Sequence, residues 1–521
     1  MQILLNQTFG NAIGIKVSSK LTKADYQEFL PILKKRIHEF GNIHLLIEFE
    51  DFQGWEIPAI FEDLQFDIQY INKIAKFALV GDNQLYQWYN NLTQPLFRGF
   101  GMEQRYFESA QIDEAWRWIH QGMKIIGAVD PKRYEAPVRY GSDLRVLIVG
   151  GGVAGLTLAG LLQQRGFKPV VVEKAQSYDE VGYWMVTWPS ANRILKGLHQ
   201  YEQFAEVGVP LNRYQIANQA GEILRSYDIE FLAQEYGSLF SIHRPNLINI
   251  LTNALSSDAI RMGTTIDQIE QTNDNVLVTF DNGDTDTFDL VVGCDGLHSK
   301  TRQLLFGDVP LTYSGLTGWA FWSQSELSTP NKLVEYWGQG KNFALFPAKE
   351  GWCGLAIAKA PAHTPDPVEN RISRIKNHFQ DFGGIVPEIL QQLDHPEQIF
   401  HDDFYYVEMK EWYRGRVVLL GDAAHGFSPT SGLGAVMAME SAAVLGEELC
   451  RTDSKYITRA LENYVARRQK RVETLQFKSH LFDQVYSAED PVMIRIRDFA
   501  IQLIPTDQFI TFWDDLLTQP I

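Results

Sequence analysis

The residues best placed to do chemistry lie in three short segments far apart: Gly150-Gly151-Gly152-Val153-Ala154-Gly155, Cys294-Asp295-Gly296-Leu297-His298-Ser299 and Gly421-Asp422-Ala423-Ala424-His425. Glycines clear backbone for a bulky anion, and carboxylates among and after them accept hydrogen bonds from sugar hydroxyls. The pattern points to the holding of one extended dinucleotide. In the first segment Gly150 allows a tight turn, Gly152 lets backbone approach a pyrophosphate, and Gly155 lets a helix pack closely on a strand. Val153 and Ala154 open that helix, whose free N–H groups and partial positive charge suit phosphates. Glu173 follows 23 residues after Gly150, where such units hold a ribose diol, and Lys174 beside it is assigned to the same site. A carboxylate there suits a free diol and favours FAD or NAD over NADP.

Each segment requires a strand before it. Residues 144–149 (Leu-Arg-Val-Leu-Ile-Val) form an apolar, β-branched run of buried-strand length, and residues 153–165 read as a helix. A second run at 169–172 ends at Glu173, a third at 289–292 leads into Gly293-Cys294-Asp295-Gly296, and a fourth at 416–420 leads into Gly421-Asp422. Strands alternating with helices in this way predict an α/β, Rossmann-like domain.

With Ser299 and Arg302 after the second segment, Pro429, Gly432 and Gly434 after the third, and Ser241-Ile242-His243-Arg244-Pro245-Asn246-Leu247 between them, the chain resembles the para-hydroxybenzoate hydroxylase-like family of class A flavoprotein monooxygenases over about residues 143–480. The resemblance implies that Glu173 binds the adenosine ribose and Arg244 approaches the pyrophosphate region. It also implies that Asp422 bonds the ribityl hydroxyls, and that Asp295 and Gly296 serve both flavin and nicotinamide cofactor. Gly421 belongs to the Asp422 turn, and Pro429, Gly432, Leu433 and Gly434 open a helix beside the isoalloxazine ring. That last placement has an independent reason: reduced flavin carries negative charge near N1, which a helix start stabilises by ~1 kcal/mol or more. The implied activity is FAD-dependent monooxygenation, with NAD(P)H as co-substrate and O2 added through a flavin C4a-hydroperoxide to an aromatic, polycyclic or other apolar small molecule. A reductase or halogenase on the same scaffold is the alternative. So is a redox or ligand sensor in which the N-terminal module is primary.

Two positions depart from the family pattern: Val436 offers no carboxamide, and Ser441 replaces a carboxylate. His425 is read as shaping the turn rather than as a base, and Cys294 as a small buried residue. No motif marks a side-chain general base, and no spacing marks a metal site, so catalytic residues and metal ligands are left unassigned.

Residues 1–121 form a complete α/β pattern of their own. Strands are expected at 13–17, 44–48, 76–80 and 104–107, and helices at 22–40, 55–71, 83–90 and 112–121. The segments Leu45-Leu46-Ile47-Glu48, Phe52-Gln53-Gly54-Trp55, Ile74-Ala75-Lys76-Phe77-Ala78-Leu79-Val80-Gly81-Asp82 and Ala115-Trp116-Arg117-Trp118-Ile119 resemble the SpoIIAA-like branch of the STAS superfamily. That resemblance implies ligand or protein partners rather than catalysis. Trp55, Trp116 and Trp118 are read as core in preference to a ligand groove. Residues 122–143, with Pro131, Pro137 and Gly141, read as a linker. The main domain is expected over 144–480, with a mostly antiparallel sheet around 210–235 and 311–400 roofing the substrate, and a C-terminal helical segment over 481–521.

The roof region carries Tyr313, Trp319, Phe321, Trp322, Tyr336, Trp337, Phe343, Phe346 and Trp352, of which period-two alternation turns about half toward a substrate. In the last segment the helix around Met493 to Ile501 is expected to pack over the site with Arg495 and Arg497 solvated. Three separated cysteines fit a reducing compartment. The absence of a signal-like start or an eighteen-residue apolar run predicts a soluble, cytoplasmic protein without integral membrane association. A net charge of −17, from 47 basic and 64 acidic residues, disfavours nucleic acid as a partner.

Overall fold

The computed structural model describes residues 2–3, 10–21, 31–34, 36–38, 40–55, 73–82, 103–120, 143–178, 182–323, 331–349, 351–504 and 517. They fall into two compact units, one through residue 120 and one from residue 143 onward.

In the first unit the strands Gln2–Ile3, Ala12–Leu21, Ile43–Trp55, Ile74–Gly81 and Glu103–Glu108 lie side by side in that order, the first pair antiparallel and the rest parallel. Apolar residues alternate between its two faces: Ile13, Ile15, Leu45, Ile47 and Leu79 pack on one side, and Ala12, Leu46, Ala78 and Val80 on the other against the helix Ile112–His120. Trp116 and Trp118 are buried in that second cluster, as core. Trp116→Ala should cost ~3–5 kcal/mol, visible as an earlier urea transition for this unit by circular dichroism. Trp55 ends a strand instead of beginning a helix, because the pairing with residues 12–21 continues as far as Leu21 opposite Trp55. The helices expected at 55–71 and 83–90, most of that at 22–40 and nearly all of the linker lie outside the described residues.

The second unit is built on a six-stranded sheet ordered Ile260–Met262, Val170–Glu173, Val146–Val149, Leu290–Gly293, Val417–Leu419, Tyr413–Arg414, parallel except for the last pair. The three glycine-bearing segments follow the carboxyl ends of three adjacent strands, Val146–Val149, Leu290–Gly293 and Val417–Leu419, and so converge despite their separation in sequence. The helices Val153–Gln163 and Gly434–Leu449 are apolar nearly all round, which buries them against each other, the first also on the sheet and the second also against the helices Pro189–Gly197 and Ile457–Tyr486.

A seven-stranded sheet, ordered Ile223–Asp228, Arg213–Asn218, Lys332–Trp337, Lys341–Pro347, Trp352–Lys359, Thr312–Ser323, Phe400–Tyr406, occupies the expected roof region. It is antiparallel except where Arg213–Asn218 meets Lys332–Trp337. The helix Ile457–Tyr486 runs unbroken through position 480, so the boundary expected there falls inside a helix. After it, Pro491–Leu503 starts on an Asp490 cap, its carboxylate accepting from Val492 N (2.8 Å) and Met493 N (3.0 Å). Arg495 is exposed, but Arg497 is buried and donates to the carbonyls of Trp337 and Gly338, both at 3.2 Å. Its planar fork satisfies carbonyls left free where the strand ends, which overrides the expectation of a solvated side chain.

Candidate functional site

Gly150 has φ +107, and a Cβ there would sit 2.4 Å from the Cys294 carbonyl oxygen. A Cβ on Gly155 would sit 2.0 Å from the Gly150 carbonyl oxygen, so the helix can approach its strand only without one. Around Gly152, by contrast, a Cβ would meet nothing within 4 Å. The backbone of Gly151 and Ala175 donates to the two oxygens of Glu173 (2.8 and 2.9 Å), fixing that carboxylate beside the turn, while Lys174 is exposed.

In the second segment the Asp295 carboxylate is committed to the start of the helix Lys300–Phe306, accepting from Ser299 Oγ (2.5 Å), Thr301 N (2.8 Å) and Thr301 Oγ1 (2.9 Å). Arg302 then donates to the carbonyls of Leu297 (2.6 Å) and Ala423 (3.0 Å), tying this segment to the third. In the third, Gly421 turns at φ +66 and Asp422 faces into open space inside the protein. Its carboxyl is pushed up to about 6 by its surroundings, which Arg244 only partly offsets. His425 is buried, with Nε2 3.1 Å from Ser441 Oγ, and burial together with Arg468 pushes it down to about 3, so it stays neutral. Burial, with Asp295 beside it, raises the Cys294 thiol well above its ordinary value.

These segments front one cavity of about 450 Å³. Gly152, Val153, Ala154, Arg244, Gly296, Asp422, Pro429, Gly432 and Gly434 line it. Gly150, Gly155, Glu173, Lys174, Asp295, Gly421 and Leu433 do not, and lie behind or beside that lining. The rest of the wall comes from the roof sheet and its flanks, including Leu211, Ile229, Leu333 and Leu355.

Residues 143–478 match the family model described as an FAD binding domain. The chain belongs to the FAD-binding-domain family. Residues 12–120 match the SpoIIAA-like model. Among curated proteins, the FAD-binding domain is similar to the 2-heptyl-3-hydroxy-4(1H)-quinolone synthase of Pseudomonas aeruginosa, at 29% identity with 70% of this chain and 94% of that protein covered. It is similar also to the aurachin C monooxygenase/isomerase of Stigmatella aurantiaca, at 28% identity with 70% and 96% covered. Among solved structures it shares its fold with Klebsiella pneumoniae HpxO complexed with FAD and uric acid, with TM-score 0.68, 24% identity, and 73% and 98% of the two chains covered.

Two features of this FAD-binding domain fit an anionic dinucleotide. The helices beginning at Val153 and Gly434 both open on the cavity with no side-chain cap, so their first N–H groups are available to a ligand. Asp422 receives no hydrogen bond from the described residues and can accept from hydroxyls, while Gly152 leaves the entrance clear. Val436 is buried behind the lining, and Ser441 bonds His425 and Arg468 (3.2 Å) rather than the cavity. The adjacent Glu440 takes up the charge: it is fully buried and accepts from Arg468 (2.9 Å) and Arg471 (3.0 Å). Burial alone would raise its carboxyl, but Arg471 and Arg468 hold it at about 2.

Of the nine roof rings, Phe346 alone lines the cavity among the described residues. Trp319, Phe321, Tyr336, Phe343 and Trp352 are buried on the opposite face of the sheet, where the helices Arg371–Phe379 and Val386–Gln391 cover them. The cavity takes its aromatic character instead from Tyr183, Trp184, Tyr214, Phe400, Phe427 and Tyr486. Arg244 sits 5.8 Å from the Tyr183 ring centroid, and Trp184 stacks on Trp322 at 5.7 Å. Sequence reasoning also missed Glu335, a carboxyl among the apolar lining. Its signal was a lone charge in Lys332-Leu333-Val334-Glu335-Tyr336-Trp337, on the same face as Leu333 and Trp337.

Proposed function

We propose that this chain is an FAD-dependent monooxygenase that uses NAD(P)H and O2 to hydroxylate an aromatic, largely apolar small molecule. The observation that carries this reading is a single cavity that joins two uncapped helix starts, Asp422 and Arg244 to an apolar chamber under the roof sheet. Bound FAD would supply the redox and oxygen-transfer chemistry. Glu173 holds the adenosine ribose, with Lys174 beside it at the surface. The helix start from Gly152 to Ala154 takes the pyrophosphate, and Arg244 and Gly296 stand along its path. Asp422 takes the ribityl hydroxyls, and the turn Pro429 to Gly434, with Leu433 buried beneath, places N–H groups at the ring. Gly150, Gly155, Gly421 and Asp295 shape the backbone behind them. The apolar walls exclude water from the reacting atoms and orient the substrate.

The relative named for a quinolone supports a bicyclic heteroaromatic substrate. A reducing, cytoplasmic setting suits three free cysteines, and no described helix is long and apolar enough to cross a membrane. The reading is tested by oxidising NADH and NADPH with the FAD-loaded protein under isotopically labelled dioxygen, with and without quinolones and naphthols. Accelerated oxidation with one labelled oxygen in the product supports it; oxidation that no aromatic accelerates and no product accompanies refutes it.

A further inference from the structure

Glu335 is 8% exposed and lies on the strand Lys332–Trp337 in the cavity wall, among Leu333, Ala344, Phe346 and Leu355. A carboxyl in such surroundings is expensive unless its oxygens are matched by donors. Two donors do reach it, Tyr214 Oη (2.9 Å) and Trp337 Nε1 (2.8 Å), but both go to Oε2. Among the described residues no hydrogen bond reaches Oε1. The fold thus supports one oxygen from behind and leaves the other toward the chamber.

We propose that Glu335 is the polar anchor of the substrate chamber, its Oε1 accepting a hydrogen bond from a ring N–H or hydroxyl of an otherwise apolar aromatic substrate. The inference rests on the monooxygenase reading of the same cavity and deepens it by naming the substrate class: a flat apolar body with a single donor on one edge. An apolar chamber binds many hydrocarbons alike, whereas a buried acceptor rejects an analogue that lacks the matching donor. Glu335 is a positioning residue in this account, fixing which edge of the substrate faces the flavin.

The ionisation of Glu335 supplies a second readout. Burial raises its carboxyl, and the hydrogen bonds from Trp337 and Tyr214 only partly oppose this, leaving it at about 7. The groups facing it are Tyr214 from the strand Arg213–Asn218 and Tyr486 from the helix Ile457–Tyr486, both pushed well above the ordinary tyrosine value by burial. Tyr227 stands behind Tyr214, and Asp483 and Arg497 act on Tyr486. The carboxylate, the stronger acceptor, is therefore gained as pH rises through about 7, and affinity for a donor-bearing ligand rises with it.

The test uses full-length FAD-loaded protein and two probes, 2-heptyl-4(1H)-quinolone and its N-methyl counterpart, titrated through the flavin absorbance. Glu335→Gln retains shape and an acceptor for Tyr214 and Trp337, but turns an NH2 toward the chamber. The wild type is expected to bind the N–H probe at least tenfold more tightly than the N-methyl probe, with an affinity that climbs from about pH 6 to about pH 8. In Glu335→Gln that preference and that climb vanish, while the N-methyl affinity changes less than about threefold. Titration of Asp483 or Asp422 would affect both probes and survive in the variant, which separates those groups from Glu335. Equal binding of the two probes by the wild type, failure of both to bind, or a preference unchanged in Glu335→Gln overturns the proposal. A wild type that does not retain FAD fails earlier, at the flavin spectrum, and sinks the enzymatic reading instead.

Discussion

Gly152→Asp is expected to weaken FAD binding by more than a hundredfold while the protein stays folded. The backbone at Gly152 has φ −81 and caps the helix Val153–Gln163, a position where aspartate is at least as favourable as glycine, and a Cβ there meets no protein atom within 4 Å. Helix stability should hold or improve by a few tenths of a kcal/mol. The new carboxylate would nevertheless occupy the space assigned to the pyrophosphate. Two like charges about 4 Å apart repel by roughly 4 kcal/mol at the effective dielectric of a protein surface, more than the ~2.7 kcal/mol that a hundredfold loss requires. Circular dichroism and thermal unfolding of the apoprotein would match the wild type while the flavin titration fails. Undiminished FAD affinity would place the dinucleotide elsewhere.

Glu440→Ala is expected to cost ~3–5 kcal/mol of stability. The side chains of Glu440, Arg468 and Arg471 are 0%, 0% and 5% exposed, so removal of the one carboxylate leaves two guanidinium groups buried with their anion gone. The damage should spread to the cavity, because Glu440 and Ser441 lie on the helix whose start, at Gly434, faces it. Denaturant unfolding of the domain spanning 143–517 reads the loss as a lower midpoint with an unchanged slope. A shift of less than about 1 kcal/mol would mean that the buried Glu440–Arg468–Arg471 cluster holds nothing together.

The part of this site legible in the sequence is the part written in backbone. Gly150 and Gly155 are dictated by contacts that exclude a Cβ, and Glu173, Asp422 and Gly434 follow strands and helix starts at fixed offsets; local spacing encodes such features. Asp295 shows the limit of that reading. Its residue type suits either a ligand or a helix cap, and only the positions of Ser299 and Thr301 show that the carboxylate is spent on the cap. The roof was legible as a mostly antiparallel sheet, but not as a set of facing rings. Trp319 and Phe343 were equally able to face the chamber, and what turns them away is the packing of Ile375 and Phe379 from a helix later in the chain. Arg497 illustrates the same dependence, since its carbonyl partners lie about 160 residues earlier. Glu335 went unread although its signal was local, a charge interrupting the apolar face of the strand Lys332–Trp337.

The FAD cradle built by the three glycine-bearing turns is tested most directly by a flavin titration of the purified protein. Stripped of any endogenous flavin and titrated with FAD, the folded protein is predicted to take up one equivalent and show a resolved, shifted flavin absorbance. A folded protein that stays colourless after removal of excess FAD would contradict the account.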